Sequence, residues 1–168
     1  GRAARQAPGK CIRLWSQLDE LSMPVEETAE ILRVDLSEAL LFLASQGVRD
    51  FSGFSWFEPP AGDQIQKSQK QLKILGALNS GHELTELGKK LLKFPLPPRL
   101  GKLLLTAEQM GIGRTGADLA ALLLERDILG QRKFDSQDEC DLWLRLDLLR
   151  SGNYKSIERA SSQLQRFV

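Results

Sequence analysis

Apolar residues recur at helical spacing over most of this chain, and the gaps between the periodic stretches are filled by glycine, proline and aromatic residues. Leu36, Leu40, Leu41, Leu43 and Ala44 form one apolar face, with Asp35 or Ser37 placed to cap it and Gly47 to stop it, which predicts a helix. A loop containing Pro24 and a shorter helix over Val25 to Arg33 precede it. Ala61 to Leu75 predicts a third helix, with Ile65, Leu72 and Leu75 on one side and Lys67, Lys70 and Lys73 spread over the other. Gly76 and Gly81 punctuate a turn, and Leu78 to Leu84 reads as a tiny hairpin. Thr85 then opens another helix with a hydroxyl cap. Three helices followed by a small β-wing make a winged-helix unit, a variant of the helix-turn-helix layout.

Pro95, Pro97 and Pro98 fix several φ angles in succession, so the chain leaves this unit in a set direction. Four helical patterns follow. Arg99 to Met110 carries Leu100, Leu103, Leu104 and Ala107, and Gly116 to Leu129 carries Leu119, Leu122 and Leu123 as residues expected to be buried. Asp138 to Arg150 carries Leu142, Trp143, Leu146 and Leu149, and Ser156 to Val168 carries Ile157, Ala160, Leu164 and Phe167. Short links between four such helices predict a small bundle. Two stretches fall outside the helical period. Lys10 to Trp15 alternates, which predicts a short strand with Cys11, Arg13 and Trp15 on one face. Phe51, Phe54, Trp56 and Phe57 sit in a loop closed by Pro59 and Pro60 and are expected to plug one side of a small core rather than to form an exposed stacking surface. The fold class is therefore mainly α, a winged-helix domain followed by a helical bundle.

The 168 residues suffice for one domain or two small ones, and 42% hydrophobic with 27% charged residues is an ordinary globular balance. The net charge of +1 hides local imbalance. Lys89, Lys90, Lys93, Arg99 and Lys102 lie between Thr85 and Lys102 against Glu86 alone. Several chemistries are excluded. A phosphate-cradling loop needs GxxxxGK[ST], but Gly81 and Gly88-Lys89 are too widely spaced and Lys90 stands where a hydroxyl is required. His82 is the only histidine and lies in a turn, and no His/Cys cluster has zinc spacing, so no metal site is expected. Cys11 and Cys140 lack CxxC spacing and read as free thiols of a reducing, cytoplasmic setting. No apolar run is long enough to span a bilayer, so no membrane partner is expected. The basic Gly/Ala opening without Met, and a last helix without a stop signal, are what a piece of a longer protein would show.

GRAARQAPGKCIRLW resembles the end of the second RecA-like domain of superfamily 2 helicases, where motif VI (QRxGRxGR) is followed by PGxCYRLY or RLW. Only the last half of that motif is present, as Gly1, Arg2, Ala3, Ala4 and Arg5, with Ala4 where the family has glycine. Downstream, ILRVDLSEALLFLASQGV, FSWFEPP, LGAL, LTELGKKLLKFPLPPRLGKLLL and DLAALLLERD resemble the winged-helix and ratchet regions of the DEAH-box branch, with forms similar to bacterial HrpB-type RNA helicases. The resemblance covers roughly Gly1 to Leu149. It implies three parts: the end of a RecA-like domain with its last strand over 1–17, a winged-helix domain over 18–93, and a helicase-associated bundle over 94–168. Arg2 and Arg5 then occupy the positions whose guanidinium groups face the ATP phosphates across the cleft between RecA-like domains. Single-stranded RNA, or another nucleic acid, would follow a path lined by the bundle. Lys89, Lys90, Lys93, Arg99 and Lys102 are the first candidates for its phosphates, and Lys67, Lys70 and Lys73 the second. ATP and Mg²⁺ belong to the parent enzyme and its upstream RecA-like domains; no cofactor is expected on this chain, which should be inactive alone.

Two other readings compete. A stand-alone winged-helix regulator would need base-reading side chains on its recognition helix, yet Leu36 to Gln46 offers only Gln46. A protein-docking module needs no such residues.

Overall fold

The computed structural model describes residues 6–23, 29–124, 140–152 and 154–167. The chain divides into two compact units, Gly1–Val34 and Asp35–Val168.

In the first unit, α1 (Gln17–Ser22) opens on a capping box: the Ser16 side chain accepts from the Asp19 amide and the Asp19 carboxylate accepts from the Ser16 amide, each at 3.1 Å. Arg13 pairs with Glu20. A 3-10 turn, Glu30–Leu32, follows; it occupies part of the helix expected over 25–33, of which residues 25–28 lie outside the described set. The strand expected over Lys10 to Trp15 does not form. Among the described residues no backbone ladder reaches this segment, and Ile12 and Leu14 are 82% and 92% exposed. A strand is stabilised by its neighbour, and alternation alone supplies none.

The second unit begins with α2 (Ser37–Ser45) packed on α3 (Gly62–Ile74). Leu36, Leu40, Leu41, Ala44, Ile65 and Leu72 are buried between them, and Phe51 closes the end of this core. The other aromatics do not. Phe54 and Phe57 are exposed, and Trp56 stacks edge-on to Phe54 while its indole N–H donates to the Phe51 carbonyl at 2.9 Å. The wing is reduced to one antiparallel bridge, Leu78 with Leu84, closed by the Asn79 side chain, which accepts from the amides of Gly81 and Glu83 at 2.9 Å. Gly76 takes the left-handed backbone (φ +76°) that glycine allows, but in the wing turn it is His82, not Gly81, that does so (φ +63°). α4 (Glu86–Leu91) completes the winged helix, with Thr85 Oγ1 accepting from the Gly88 amide at 3.0 Å.

Asp35 ties α2 to α3. Its Oδ1 accepts from the Ser37 amide (2.9 Å) and hydroxyl (2.6 Å) and from Ser68 Oγ (3.4 Å), while Oδ2 faces Gln71 Nε2 at 3.4 Å. Partial burial raises its pKa, but the combined hydrogen bonds from Ser37, Gln71 and Ser68 outweigh that and leave it below the ordinary carboxylate value. A lowered folded-state pKa means that the stabilisation is complete above about pH 4 and is lost as the pH falls through the folded value. Asp35→Asn is therefore expected to cost about 1 kcal/mol at pH 7. In urea titrations repeated at falling pH, the gap between the two proteins should close below about pH 4.

After Pro97, α5 (Pro98–Gln109), α6 (Gly113–Leu124), α7 (Asp141–Ser151) and α8 (Lys155–Leu164) form the bundle. α6 lies at its centre, packed on α5, α7 and α8. It presents Ala117, Ala120 and Ala121, all fully buried, to leucines of its neighbours, including Leu104 and Leu146. Leu122 is buried, whereas Leu123, expected inside, is about half exposed, as are Trp143 and Phe167. Within the seam, Ser161 Oγ donates to Asp118 Oδ1 at 2.6 Å, and both residues are buried.

Candidate nucleic-acid interface

The basic candidates sit on three elements, and local packing decides which way each faces. On α4, Gly88 and Leu91 turn inward: Gly88 lies against the Ala77 carbonyl and the Leu84 side chain, and Leu91 is buried. Lys89 and Lys90 on this helix, and Lys93 just beyond its end, are exposed. Lys89 Nζ pairs with Glu86 at 2.6 Å, and this bond lowers the Glu86 pKa. Lys90 and Lys93 make no ion pair among the described residues.

The joint that follows is anchored rather than loose. Phe94 packs on the bundle core with its ring 5.7 Å from that of Phe167, and Leu96 is buried in the same core. Pro98 occupies the first turn of α5, where a missing N–H costs nothing. Leu100, Gly101 and Leu104 face inward, which turns Arg99 and Lys102 together toward the side of α6. These two cations line a groove of about 380 Å³ between the helices, with Leu103 and Thr106 next along α5. Neither makes an ion pair among the described residues.

On α3, Lys67, Lys70 and Lys73 are all exposed. Lys67 Nζ is held by Asp63 at 2.8 Å, one turn back, a bond that lowers the Asp63 pKa. Such surface pairs are worth about 0–1 kcal/mol, so they hinder a competing phosphate only slightly. The geometry thus brings Arg99 and Lys102 to one groove and leaves the α3 lysines on a separate helix. Arg2 and Arg5 lie outside the described residues.

Sequence reasoning passed over a second polar site. Arg114, Asp118, Arg150 and Glu158 line a cavity of about 530 Å³ between α6, α7 and α8. There Arg150 Nη2 donates to Thr115 Oγ1 at 3.0 Å and lies 3.8 Å from Asp118 Oδ2. The one available signal was Asp118 itself, an acid set among the alanines of an otherwise apolar face. His82, in its turn, is half-buried: its Nδ1 lies 3.2 Å from the Arg49 carbonyl and its ring 6.0 Å from Phe51. Among the described residues no cluster of His, Cys, Asp or Glu could hold a metal ion, and no helix is long and apolar enough to cross a membrane.

Comparison with known proteins puts this geometry in a family context. A family model described as the helicase-associated domain (HA2), winged-helix, matches residues 68–96, the stretch from α3 to the joint. The chain is 37% identical over 146 residues to the ATP-dependent RNA helicase DEAH12, chloroplastic, of Arabidopsis thaliana, covering 84% of this chain and 8% of that protein. It is 41% identical over 107 residues to the ATP-dependent RNA helicase HrpA of Borreliella burgdorferi, covering 64% of this chain and 13% of that protein. The crystal structure of the Escherichia coli DEAH/RHA helicase HrpB matches 97% of this chain and 19% of its own, with a TM-score of 0.70 at 27% identity. The chain thus spans between 8% and 19% of the length of these relatives.

Proposed function

Because the chain belongs to the DEAH-box helicases, as a C-terminal accessory region with the winged-helix HA2 domain and a fold like that of HrpB, we propose that it serves an ATP-dependent RNA helicase by holding single-stranded RNA beside the motor domains. The observation that carries the proposal is the set of cations on either side of the joint that make no ion pair among the described residues, Lys90 and Lys93 before it, and Arg99 and the half-exposed Lys102 after it. A phosphate backbone needs cations that are exposed and not already neutralised. Lys89, Lys67, Lys70 and Lys73 extend the same role more weakly. Anchored through Phe94 and Leu96, the joint would pass movement between the RNA and the upstream RecA-like domains without absorbing it.

ATP and Mg²⁺ would be bound by those upstream domains of the parent. The described residues do not fit them, having neither a phosphate-cradling loop nor a cluster of metal ligands. The contribution of this chain to the nucleotide would come from Arg2 and Arg5, reaching the phosphates across the cleft. A cytoplasmic setting suits Cys11 and Cys140, both free and exposed.

The regulator reading is not favoured. Outward-facing positions of α2 are Glu38, Ala39, Phe42 and, at its end, Gln46, whose amide already donates to Ser45 Oγ at 3.2 Å.

The test is a salt titration of binding to a labelled single-stranded RNA. Changing Lys90, Lys93, Arg99 and Lys102 together to glutamine should weaken binding at low salt by about 10- to 100-fold and flatten the log–log salt slope by about 3, since each lost phosphate contact removes about 0.7 from a single strand. An unchanged slope would remove these residues from the RNA path. Tighter binding to duplex DNA than to single strands would return the regulator to first place.

A further inference from the structure

We propose that the groove between α5 and α6 is a docking site for an acidic, amphipathic helix of a partner protein. Its floor is apolar and built from small or branched side chains, with Leu103 and Ala107 from α5 facing Gly116 and Leu119 from α6. The two helices approach so closely here that a Cβ on Gly116 would overlap that of Ala107, which leaves a cleft between the larger side chains on either side. At the far end Met110 and Ile112, which end one helix and precede the next, are 68% and 48% exposed and extend the apolar floor.

Charge selects the occupant. Arg99 and Lys102 stand in the first two turns of α5, no acid among the described residues lines the groove, and the N-terminal end of this 12-residue helix adds partial positive charge. The groove runs from Arg99 to Met110, about 16 Å at 1.5 Å per residue, or three turns of a partner helix carrying apolar anchors at i, i+4 and i+7. Acids at the end lying over Arg99 and Lys102 complete the match. RNA suits the groove less well, because no aromatic ring among the described residues lines it to stack a base. The inference goes beyond the RNA reading and shares with it only Arg99 and Lys102. A docked acidic helix would take those two cations from the RNA.

The probes are three helical peptides of about 14 residues with leucine at the three anchor positions, differing only in carrying Glu, Gln or Lys at both ends. Fluorescence anisotropy should show the acidic peptide binding about tenfold more tightly than the Gln peptide, with the Lys peptide weakest. Met110→Ser with Ile112→Ser, two exposed positions whose change should leave the thermal melt unaltered, should weaken the acidic peptide about tenfold and leave single-stranded RNA binding unchanged. Arg99→Gln with Lys102→Gln should weaken both ligands. The proposal is overturned if the acidic peptide does not bind, if all three bind alike, or if the serine pair costs RNA as much as peptide. Binding to this chain but not to the longer parent would also overturn it, by showing that the parent's own domains fill the groove. Absence of RNA binding would sink the RNA reading alone and leave the peptide result standing.

Discussion

Replacing Gly88 with alanine is expected to destabilise the winged-helix unit by about 2–4 kcal/mol, although alanine is the better helix former. The added Cβ would overlap the carbonyl oxygen of Ala77 and come within 2.7 Å of Leu84 Cδ1. The leucine could turn aside, but the carbonyl cannot easily retreat. It accepts from the Thr85 amide at 3.0 Å and from Thr85 Oγ1 at 3.1 Å, and Ala77 is fully buried. Moving it would disturb the cap of α4 and the base of the wing together. For a chain of this size the loss corresponds to roughly 6–12 °C in Tm. Two comparisons isolate the cause. Gly101→Ala meets Leu91 Cδ2 at 3.0 Å, a flexible side-chain end, and the Phe94 ring at an ordinary 3.7 Å, and Gly62→Ala meets nothing within 4 Å. Both should melt within a few degrees of the parent chain, while Gly88→Ala melts well below it. Equal melting of all three would show that the Ala77 carbonyl yields.

In the full-length parent, Arg5→Ala is expected to lower RNA-stimulated ATP turnover by about 10³-fold, the lower end of what an arginine finger contributes. The charge that develops on the transferred phosphoryl group needs a rigid, always-protonated, two-pronged donor, so Arg5→Lys should recover little of the loss. Binding of a nucleotide analogue should weaken far less than turnover, because the contact matters most in the transition state. Near-normal turnover in Arg5→Ala would end the finger role. Arg2→Ala tests the companion position in the same assay.

Elements that bury a face were legible in the sequence. α2 and α3 follow from leucines at helical spacing, and Thr85 announced its cap by being a hydroxyl before a helical run. α1 was missed because nothing about it is buried: Leu18 and Leu21 are exposed, and only the Ser16–Asp19 capping box marks it. The strand over Lys10 to Trp15 failed for the opposite reason, since alternation signals a willing strand but not its neighbour. Phe54 and Phe57 look like core by composition, yet the loop that carries them has room to bury only Phe51. In the candidate interface, the shared direction of Arg99 and Lys102 is an i, i+3 relation that the sequence states outright. The groove they border is not, because its other wall comes from small residues of α6 whose value lies in what they lack. Arg2 and Arg5 were singled out by resemblance alone.

The buried polar bond inside the bundle from Ser161 to Asp118 bears on how many arrangements this protein can adopt. α6 offers its neighbours a face of alanines, which is smooth and nearly uniform along the axis. Apolar attraction has no direction, and a smooth face gives sliding helices few ridges to lock against. A displacement of α8 by one turn could bury a similar area. A buried hydroxyl and carboxylate resist such a shift, because it would break the short bond between them while both stay largely desolvated. That bond therefore acts as an alignment key: it turns a contact that several registers would satisfy into one that a single register does.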